Sequence, residues 1–350
     1  MATPKKVRVA INGFGRIGRI TFRAMVENYG KNIEIVAIND LAPVKMNAHL
    51  LAHDTNYRGF SRKVDTLAEG VKVRGKMVPA ITVEGVKKPI AILQERDPAK
   101  LPWRSLRVDV VLECTGFFTD SEKAAAHLKG GAKKVIISAP AKGDVQTIVL
   151  GVNDEELDVT KDIFSNASCT TNCLAPIAKA IDGLWGIDHG LMTTVHSYTN
   201  DQRMQDQVHE DPRRARAGAA NIIPTTTGAA KAIGLVLPHL KGKLDGISLR
   251  VPTTTVSVVD LVVETKSDLP SLEEVKAALT AAADGKYLGV SDESPVSSDF
   301  IGDARSSILD VEFTAVMAPR TLKILSWYDN EWGYSNRLAE LCALIGSKIV

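Results

Sequence analysis

The sequence predicts an α/β protein, with a parallel sheet of βαβ units in the first half and an α+β arrangement in the second. Two observations carry this. Short runs rich in β-branched residues alternate with helical patterns up to Ser138, and strands separated by helices pair in parallel. Beyond Ser168, a long helical pattern gives way to extended runs with little helix between them. At 350 residues the chain has the length of about two domains of roughly 150 residues each.

Val7–Asn12 (VRVAIN) reads as the first strand, Gly13–Gly18 as a turn, and the following stretch to about Glu27 as a helix. Ile33–Ile38 (IEIVAI) and Val108–Leu112 (VDVVL) read as buried strands. Val71–Val83 reads as a hairpin-like insertion around Gly75-Lys76. Ser121 is placed to cap a helix over Ser121–Leu128, and Val135–Ser138 is a further strand. Ser168 is a good cap for a helix from Cys169 to about Ile181, and Leu191–Tyr198 is a strand. The segment from Thr199 to Pro224 has little periodicity and is too long for a simple connection, which points to a functional loop. Ile247–Val251 and Val256–Glu264 are strands, and Ser271–Ala283 is a helix. An amphipathic helix over about Ser335–Ser347 closes the chain and can return to the first domain.

Composition narrows the function classes. Apolar residues make up 45% and charged residues 24%, ordinary globular values that exclude intrinsic disorder. The net charge of +2 gives no indication of nucleic acid as partner. The cysteines at 114, 169, 173 and 342 form neither a disulfide framework nor paired zinc motifs, so a reducing, cytoplasmic setting and no metal are expected. MATPKKVRVAINGFG has two lysines but no long apolar stretch and no small-residue cleavage site, which argues against a signal peptide. No apolar run approaches the roughly 18 residues of a membrane helix.

Gly13-Phe14-Gly15-Arg16-Ile17-Gly18 follows a strand and opens a helix, and a second strand ends at Asp40, 22 residues beyond Gly18. That is the context of a dinucleotide site. Gly13, Gly15 and Gly18 permit a tight turn and close approach of pyrophosphate to a helix N-terminus, while Asp40 accepts from ribose hydroxyls. A carboxylate there repels a 2′-phosphate, so NAD is favoured over NADP. Cys169 lies in the first turn of a helix, where the macrodipole favours a thiolate. Cys173, Cys114 and Cys342 read as small buried hydrophobes. A thiolate nucleophile wants a base, and His196 is the best of the seven histidines because it alone lies in a run as polar as TTVHSYTND. Thr225-Thr226-Thr227-Gly228 before a helical run, Arg250, and Arg213, Arg214 and Arg216 in the long loop suggest sites for phosphate oxyanions.

INGFGRIGR, IND, QERDP, SNASCTTNC, HSYTNDQ, PTTTGAAKA, LRVPT and WYDNEWGYS occur in the order seen in phosphorylating glyceraldehyde-3-phosphate dehydrogenases, and the chain resembles that family over essentially its whole length. The resemblance implies a doubly wound (Rossmann) NAD-binding domain over 1–168, joined by the C-terminal helix 334–350. It implies an α+β catalytic domain with a mixed/antiparallel sheet over 169–333. It makes Cys169 the nucleophile, forming a thiohemiacetal and then a thioester, with His196 as its base. Ser168, Thr170, Thr227, Gly228 and Arg214 would handle the attacking inorganic phosphate. Thr199 and Arg250 would hold the C3 phosphate of glyceraldehyde 3-phosphate. Arg16, Ile17, Asp40, Arg96, Ser138 and Asn330 would contact the cofactor, with Asn330 near the nicotinamide carboxamide and Tyr334 packing beside the nicotinamide. A cytoplasmic glycolytic homotetramer is expected, with the 199–224 loop lining a neighbouring subunit's cofactor site. Gln207-Val208 stands where many NAD-specific members carry Leu-Pro, so NADP use is not excluded. The rival readings are erythrose-4-phosphate dehydrogenase and a catalytically silent NAD-binding scaffold.

Overall fold

The computed structural model describes residues 5–350, so the first four residues of the N-terminal pattern above lie outside the described residues. Backbone packing divides the chain into two units. One holds residues 5–148, Glu156–Ala167 and Ser335–Val350; the other holds Val149–Glu155 and Ser168–Tyr334.

In chain order the first unit contains β1 (Val7–Asn12), α1 (Arg16–Asn28), β2 (Ile33–Asn39), α2 (Val44–Ala52), β3 (Val64–Val73), β4 (Lys76–Val83), β5 (Ile90–Leu93), β6 (Val110–Glu113), α3 (Ser121–Ala124), α4 (Ala126–Gly130), β7 (Lys134–Ile137), β8 (Gln146–Thr147) and β9 (Ile163–Ser165). The strands form one sheet in the order β3-β4-β5-β2-β1-β6-β7-β9-β8. Only the β3–β4 and β4–β5 pairs are antiparallel; the other pairs are parallel. Every residue of β5, β6 and β7 is buried, as expected of parallel strands covered on both faces. From β1 the chain moves to β2 on one side and later reaches β6 on the other. This reversal puts a crevice at the carboxyl ends of β1 and β6, where open α/β sheets bind ligands. The β3–β4 hairpin turns at Arg74 and Gly75, with φ of 48° and 82°, as a two-residue hairpin turn requires.

Two local expectations need correction. Asp120, not Ser121, caps the helix after β6, its side chain accepting from Lys123 N at 2.9 Å. That helix is also two short pieces, because the chain tightens at Ala125, where ψ is −17°.

The second unit contains α5 (Cys169–Trp185), β10 (Ile187–Ser197), β11 (Ile223–Thr226), α6 (Ala229–Val236), β12 (Leu244–Val251), β13 (Ser257–Thr265), α7 (Leu272–Ala282), β14 (Leu288–Ser291), β15 (Ser307–Ala318), β16 (Thr321–Tyr328) and the start of α8 (Trp332–Ser347). Its sheet is mixed, in the order β11-β12-β10-β13-β16-β15-β14. Helix α5 packs on β10, β13, β15 and β16, with α6 and α7 beside it. Along β13 buried residues alternate with more exposed ones, so one face is core and the other is open. The rest of α8 belongs to the first unit, where a Cβ on Gly346 would lie 2.3 Å from Val7. The expected amphipathic pattern holds only in the second half of α8: Ser335–Ala339 are all buried, more than a full turn, while Glu340, Ala343, Leu344 and Ser347 form a less buried stripe.

Candidate active site

The three glycines after β1 play three different parts. Gly13 has φ of 90°, and a Cβ there would stand 2.7 Å from Thr115 N. A Cβ on Gly18 would meet the Gly13 carbonyl oxygen at 2.2 Å, so helix and turn pack with no room for a side chain. Gly15, the N-cap of α1, is the opposite case, with no atom within 4 Å of its Cβ position. No side chain caps α1 and no acid lies in its first turn. A close-packed turn with an open cradle at an uncapped helix start fits a dinucleotide pyrophosphate.

Asp40 faces this turn. Its carboxylate accepts from Phe14 N at 2.8 Å and from Ala42 N at 2.9 Å, leaving lone pairs for ribose hydroxyls. The Arg16 guanidinium is paired with Asp54 and lies 5.8 Å from the Tyr57 ring centroid, so Arg16 offers the cradle its backbone N–H and not its charge. Ile17 follows it in the first turn and is half-buried. Arg96 is exposed just beyond Glu95, whose N–H and carbonyl are both held by the Asn39 side chain. Ser138 follows β7, with its N–H on the Glu113 carbonyl at 2.9 Å.

Beneath the turn runs a buried polar network that sequence reasoning missed. Glu113 accepts from Asn12 Nδ2 at 2.6 Å and from Thr115 N at 2.7 Å. His127 Nε2 lies 2.9 Å from Glu113, and Trp103 Nε1 donates to His127 Nδ1 at 3.0 Å. Asn39 Nδ2 donates to Asn12 Oδ1 at 2.7 Å. Strand-end polar residues in the sequence give no sign of which partners the sheet will supply.

In the second unit, Ser168 caps α5 by accepting from Thr171 N at 3.0 Å. That cap sets Cys169 in the first turn, and strand β10 brings His196 Nε2 to 3.4 Å from its sulfur. Cys169 keeps some exposure, while His196 is buried. Burial pushes the Cys169 thiol up, against the opposing pull of the Arg250 charge and of the Thr170 hydroxyl and N–H. Burial and the Arg250 charge hold His196 down to about 3, so both disfavour the charged imidazole. Cys173 is buried with its thiol raised to about 12, also by burial, as befits a core residue.

Thr170 turns its hydroxyl to Tyr328 at 2.9 Å, and Tyr328 also meets the Thr194 hydroxyl at 2.8 Å. Tyr328, whose ring centroid is 6.0 Å from that of His196, was also missed, since a tyrosine in a strand reads as core. Asn330 accepts on Oδ1 from Ser197 at 3.0 Å and from Ser257 at 3.1 Å, which leaves Nδ2 as the outward donor. Tyr334 is buried in the first turn of α8.

The anion-binding candidates converge on one another. Arg250 Nη1 donates to Thr199 Oγ1 at 3.1 Å. Thr199 donates in turn to Asp201, and Arg214 Nη1 reaches the other oxygen of Asp201 at 2.8 Å. Arg214 Nε donates to Thr225 at 3.0 Å. Burial would raise the Asp201 carboxyl, but the Thr199 hydroxyl and the Arg250 and Arg214 charges hold it below the usual range. An internal carboxylate thus engages groups suited to phosphate. The HSYTNDQ run contained Asp201, although no role was read for it. Thr227 Oγ1 accepts from Ala229 N at 3.2 Å, and Gly228 is the N-cap of α6 with nothing within 4 Å of its Cβ position. Arg216 pairs with Asp206 instead. Gln207 and Val208 are exposed on the same loop.

Comparison with known proteins gives consistent matches. Residues 7–121 match the family model described as glyceraldehyde 3-phosphate dehydrogenase, NAD binding domain. Residues 168–330 match that of glyceraldehyde 3-phosphate dehydrogenase, C-terminal domain. The chain is 53% identical over 347 residues to glyceraldehyde-3-phosphate dehydrogenase 2 of Streptomyces avermitilis, covering 98% of this chain and 99% of the relative. It is 52% identical over 346 residues to glyceraldehyde-3-phosphate dehydrogenase 1 of Bacillus subtilis, with the same coverage. It is 53% identical over 344 residues to the enzyme of that name from Cereibacter sphaeroides, covering 97% of this chain and 98% of the relative.

Proposed function

The chain belongs to the glyceraldehyde-3-phosphate dehydrogenase family, and from that premise we propose how its own residues carry out the glycolytic oxidation of glyceraldehyde 3-phosphate to 1,3-bisphosphoglycerate with NAD and inorganic phosphate. The observation that carries the reading is a thiol at the start of a helix with an imidazole nitrogen 3.4 Å from its sulfur.

Cys169 Sγ forms a bond to the aldehyde carbon as the C=O π bond opens, and His196 Nε2 takes the thiol proton and hands it to the carbonyl oxygen. The product is a thiohemiacetal, whose hydroxyl proton His196 then removes as the carbon is oxidised. Bound NAD supplies the acceptor for the hydride. What remains on Cys169 is a thioester, which keeps the energy of oxidation. An oxygen of inorganic phosphate attacks its carbonyl, the C–S bond breaks, and the acyl phosphate leaves with the Cys169 sulfur restored. Thr199 and Arg250 hold the substrate's own phosphate. Arg214, Thr227, Gly228 and the helix start at Ser168–Thr170 receive the attacking phosphate. In the first unit the glycine cradle, Asp40, the Arg16 and Ile17 backbone, Arg96 and Ser138 bind the cofactor, and Asn330 Nδ2 suits a carboxamide oxygen.

We place the dinucleotide-binding domain in the first unit and the catalytic domain in the second. Homotetramer assembly is supported by the open face of the second sheet, where exposed Leu191 and Val262 sit opposite each other across β10 and β13. A cytoplasmic setting fits four free cysteines, and no helix among the described residues is long and apolar enough to cross a membrane.

Absorbance of reduced nicotinamide with glyceraldehyde 3-phosphate is the test. The expected result is reduction of NAD that requires phosphate, with NADP poorer because of Asp40. A higher rate with erythrose 4-phosphate would overturn the substrate assignment, and comparable rates with NADP would overturn the role given to Asp40.

A further inference from the structure

Three neighbouring strands of the second sheet, β10, β13 and β16, bring their ends to one edge. Ser197 closes β10, Ser257 opens β13 opposite Tyr328, and Asn330 lies just past the end of β16. All three side chains are buried. The Ser197 hydroxyl donates to Asn330 Oδ1 at 3.0 Å, and the Ser257 hydroxyl donates to the same oxygen at 3.1 Å. Ser257 Oγ also accepts from Ser197 N at 3.1 Å.

An amide has an accepting end and a donating end, and only one of them suits this place. Each serine hydroxyl carries one proton, and among the described residues Asn330 Oδ1 is its only acceptor. Turned about, the amide would set its own N–H groups against the two hydroxyls and leave both serine protons buried without an acceptor, which a protein interior penalises. The serine pair therefore fixes Oδ1 inward and Nδ2 outward. Nδ2 has no partner among the described residues. The backbone that carries Asn330 is held as well. Buried Asp329 accepts on Oδ1 from Thr255 Oγ1 at 3.0 Å, Glu331 N at 3.0 Å and Trp332 N at 2.9 Å, and on Oδ2 from Gly302 N at 2.9 Å. With backbone and amide both fixed, the group presented outward is a donor.

The carboxamide on the pyridine ring of NAD has an acceptor oxygen and a donor amine. A fixed donor pairs with the oxygen and repels the amine. We infer that Ser197 and Ser257 are positioning residues for the cofactor: they lock the Asn330 amide with Nδ2 outward, so that the site reads an acceptor oxygen on the ring. An amide free to turn would meet either end of the carboxamide, and would lose rotational freedom on binding that the locked one has already given up. This inference rests on the reading of Asn330 as the partner of the nicotinamide carboxamide.

The test is calorimetric titration of the full-length protein with NAD and with ADP-ribose, which lacks the pyridine ring. The variants are Ser197→Ala, Asn330→Ala and the two combined. Ser257→Ala and its matching double variant take their place if Ser197→Ala does not fold. Ser197→Ala should weaken NAD binding by roughly 3–10-fold, the worth of one hydrogen bond, and leave ADP-ribose binding unchanged. Added to Asn330→Ala, the same substitution should change NAD binding by less than about twofold, because no amide is left to hold. The 3-acetylpyridine analogue of NAD, which keeps the oxygen and lacks the amine, should follow NAD through the series. Full NAD affinity in Ser197→Ala, an equal loss for ADP-ribose, or a loss that persists without the Asn330 amide would each overturn the role of the serines. Full NAD affinity in Asn330→Ala would instead overturn the reading of Asn330, so the two failures are told apart.

Discussion

Each unit buries a histidine, and the two are wired differently. His127, in the first unit, sits in a buried network running from Trp103 to Glu113 and on to Asn12, Asn39 and the Thr115 backbone. His196, in the second, faces a thiol on one nitrogen and both an acceptor and a cation on the other. The first arrangement underlies a turn that binds its ligand through backbone and open space. The second leaves a proton with more than one place to go, as acid–base chemistry needs.

The contrast predicts its own breakage. The largest effect belongs to Cys169→Ser, which should cut NAD reduction by roughly 10³-fold or more through loss of a covalent nucleophile. NAD affinity, measured by titration, should stay unchanged, because the glycine cradle is untouched.

Exchanging the histidines for asparagine should separate support from chemistry. His196→Asn should slow single-turnover hydride transfer by roughly 10²–10⁴-fold, with little change in melting temperature. His127→Asn should do the reverse, destabilising by about 1–3 kcal/mol while the folded fraction keeps its turnover. Equal effects on both observables for both variants would erase the distinction.

Within the first unit, Gly18→Ala and Gly15→Ala sharpen the point. The Gly18 Cβ would press on the Gly13 carbonyl oxygen at 2.2 Å, and overpacking of this kind costs about 1–3 kcal/mol. Gly15 has a φ of −71° and open space around its Cβ position, so alanine there should leave melting unchanged and weaken NAD binding alone.

The smallest effect concerns Asp54, the partner of Arg16. Burial would raise its carboxyl, but the Arg16 bond and the Tyr57 and Asn56 N–H groups hold it below the usual value. A depressed acid contributes stability above its unfolded value, and the contribution is lost as pH falls through its folded value. Asp54→Asn should therefore cost about 1–2 kcal/mol near neutrality, limited because Arg16 keeps contact with water. The difference from wild type should shrink as pH falls below the usual aspartate value of about 4. A constant difference across that range would show that the ion pair is not its source.

The glycine turn was the most legible part of the molecule. Its function depends on missing side chains at fixed spacing, and spacing is written in the chain. The α5 cap at Ser168 and the Cys169 helix were legible for the same reason, since capping is local. Asp120 displaced Ser121 as a cap because neighbouring residues compete for one position. The full burial of Ser335–Ala339 in α8 was hidden because burial on all sides is imposed by what surrounds a helix.

The sequence by itself determined the βαβ order, the nucleotide turn and the identities of Cys169 and His196, all of which follow from local pattern or from motifs that resemble a known family. Only the tertiary structure decided that Asp201 engages Thr199 and Arg214, that Glu113 and His127 lie beneath the turn, and that Arg250 lies against His196. Positions 196 and 250 meet because β10 and β12 run parallel in register, with His196 beside Arg250. Hydrogen bonds act over about 3 Å, and which groups come that close is set by how the strands pair and not by their distance along the chain.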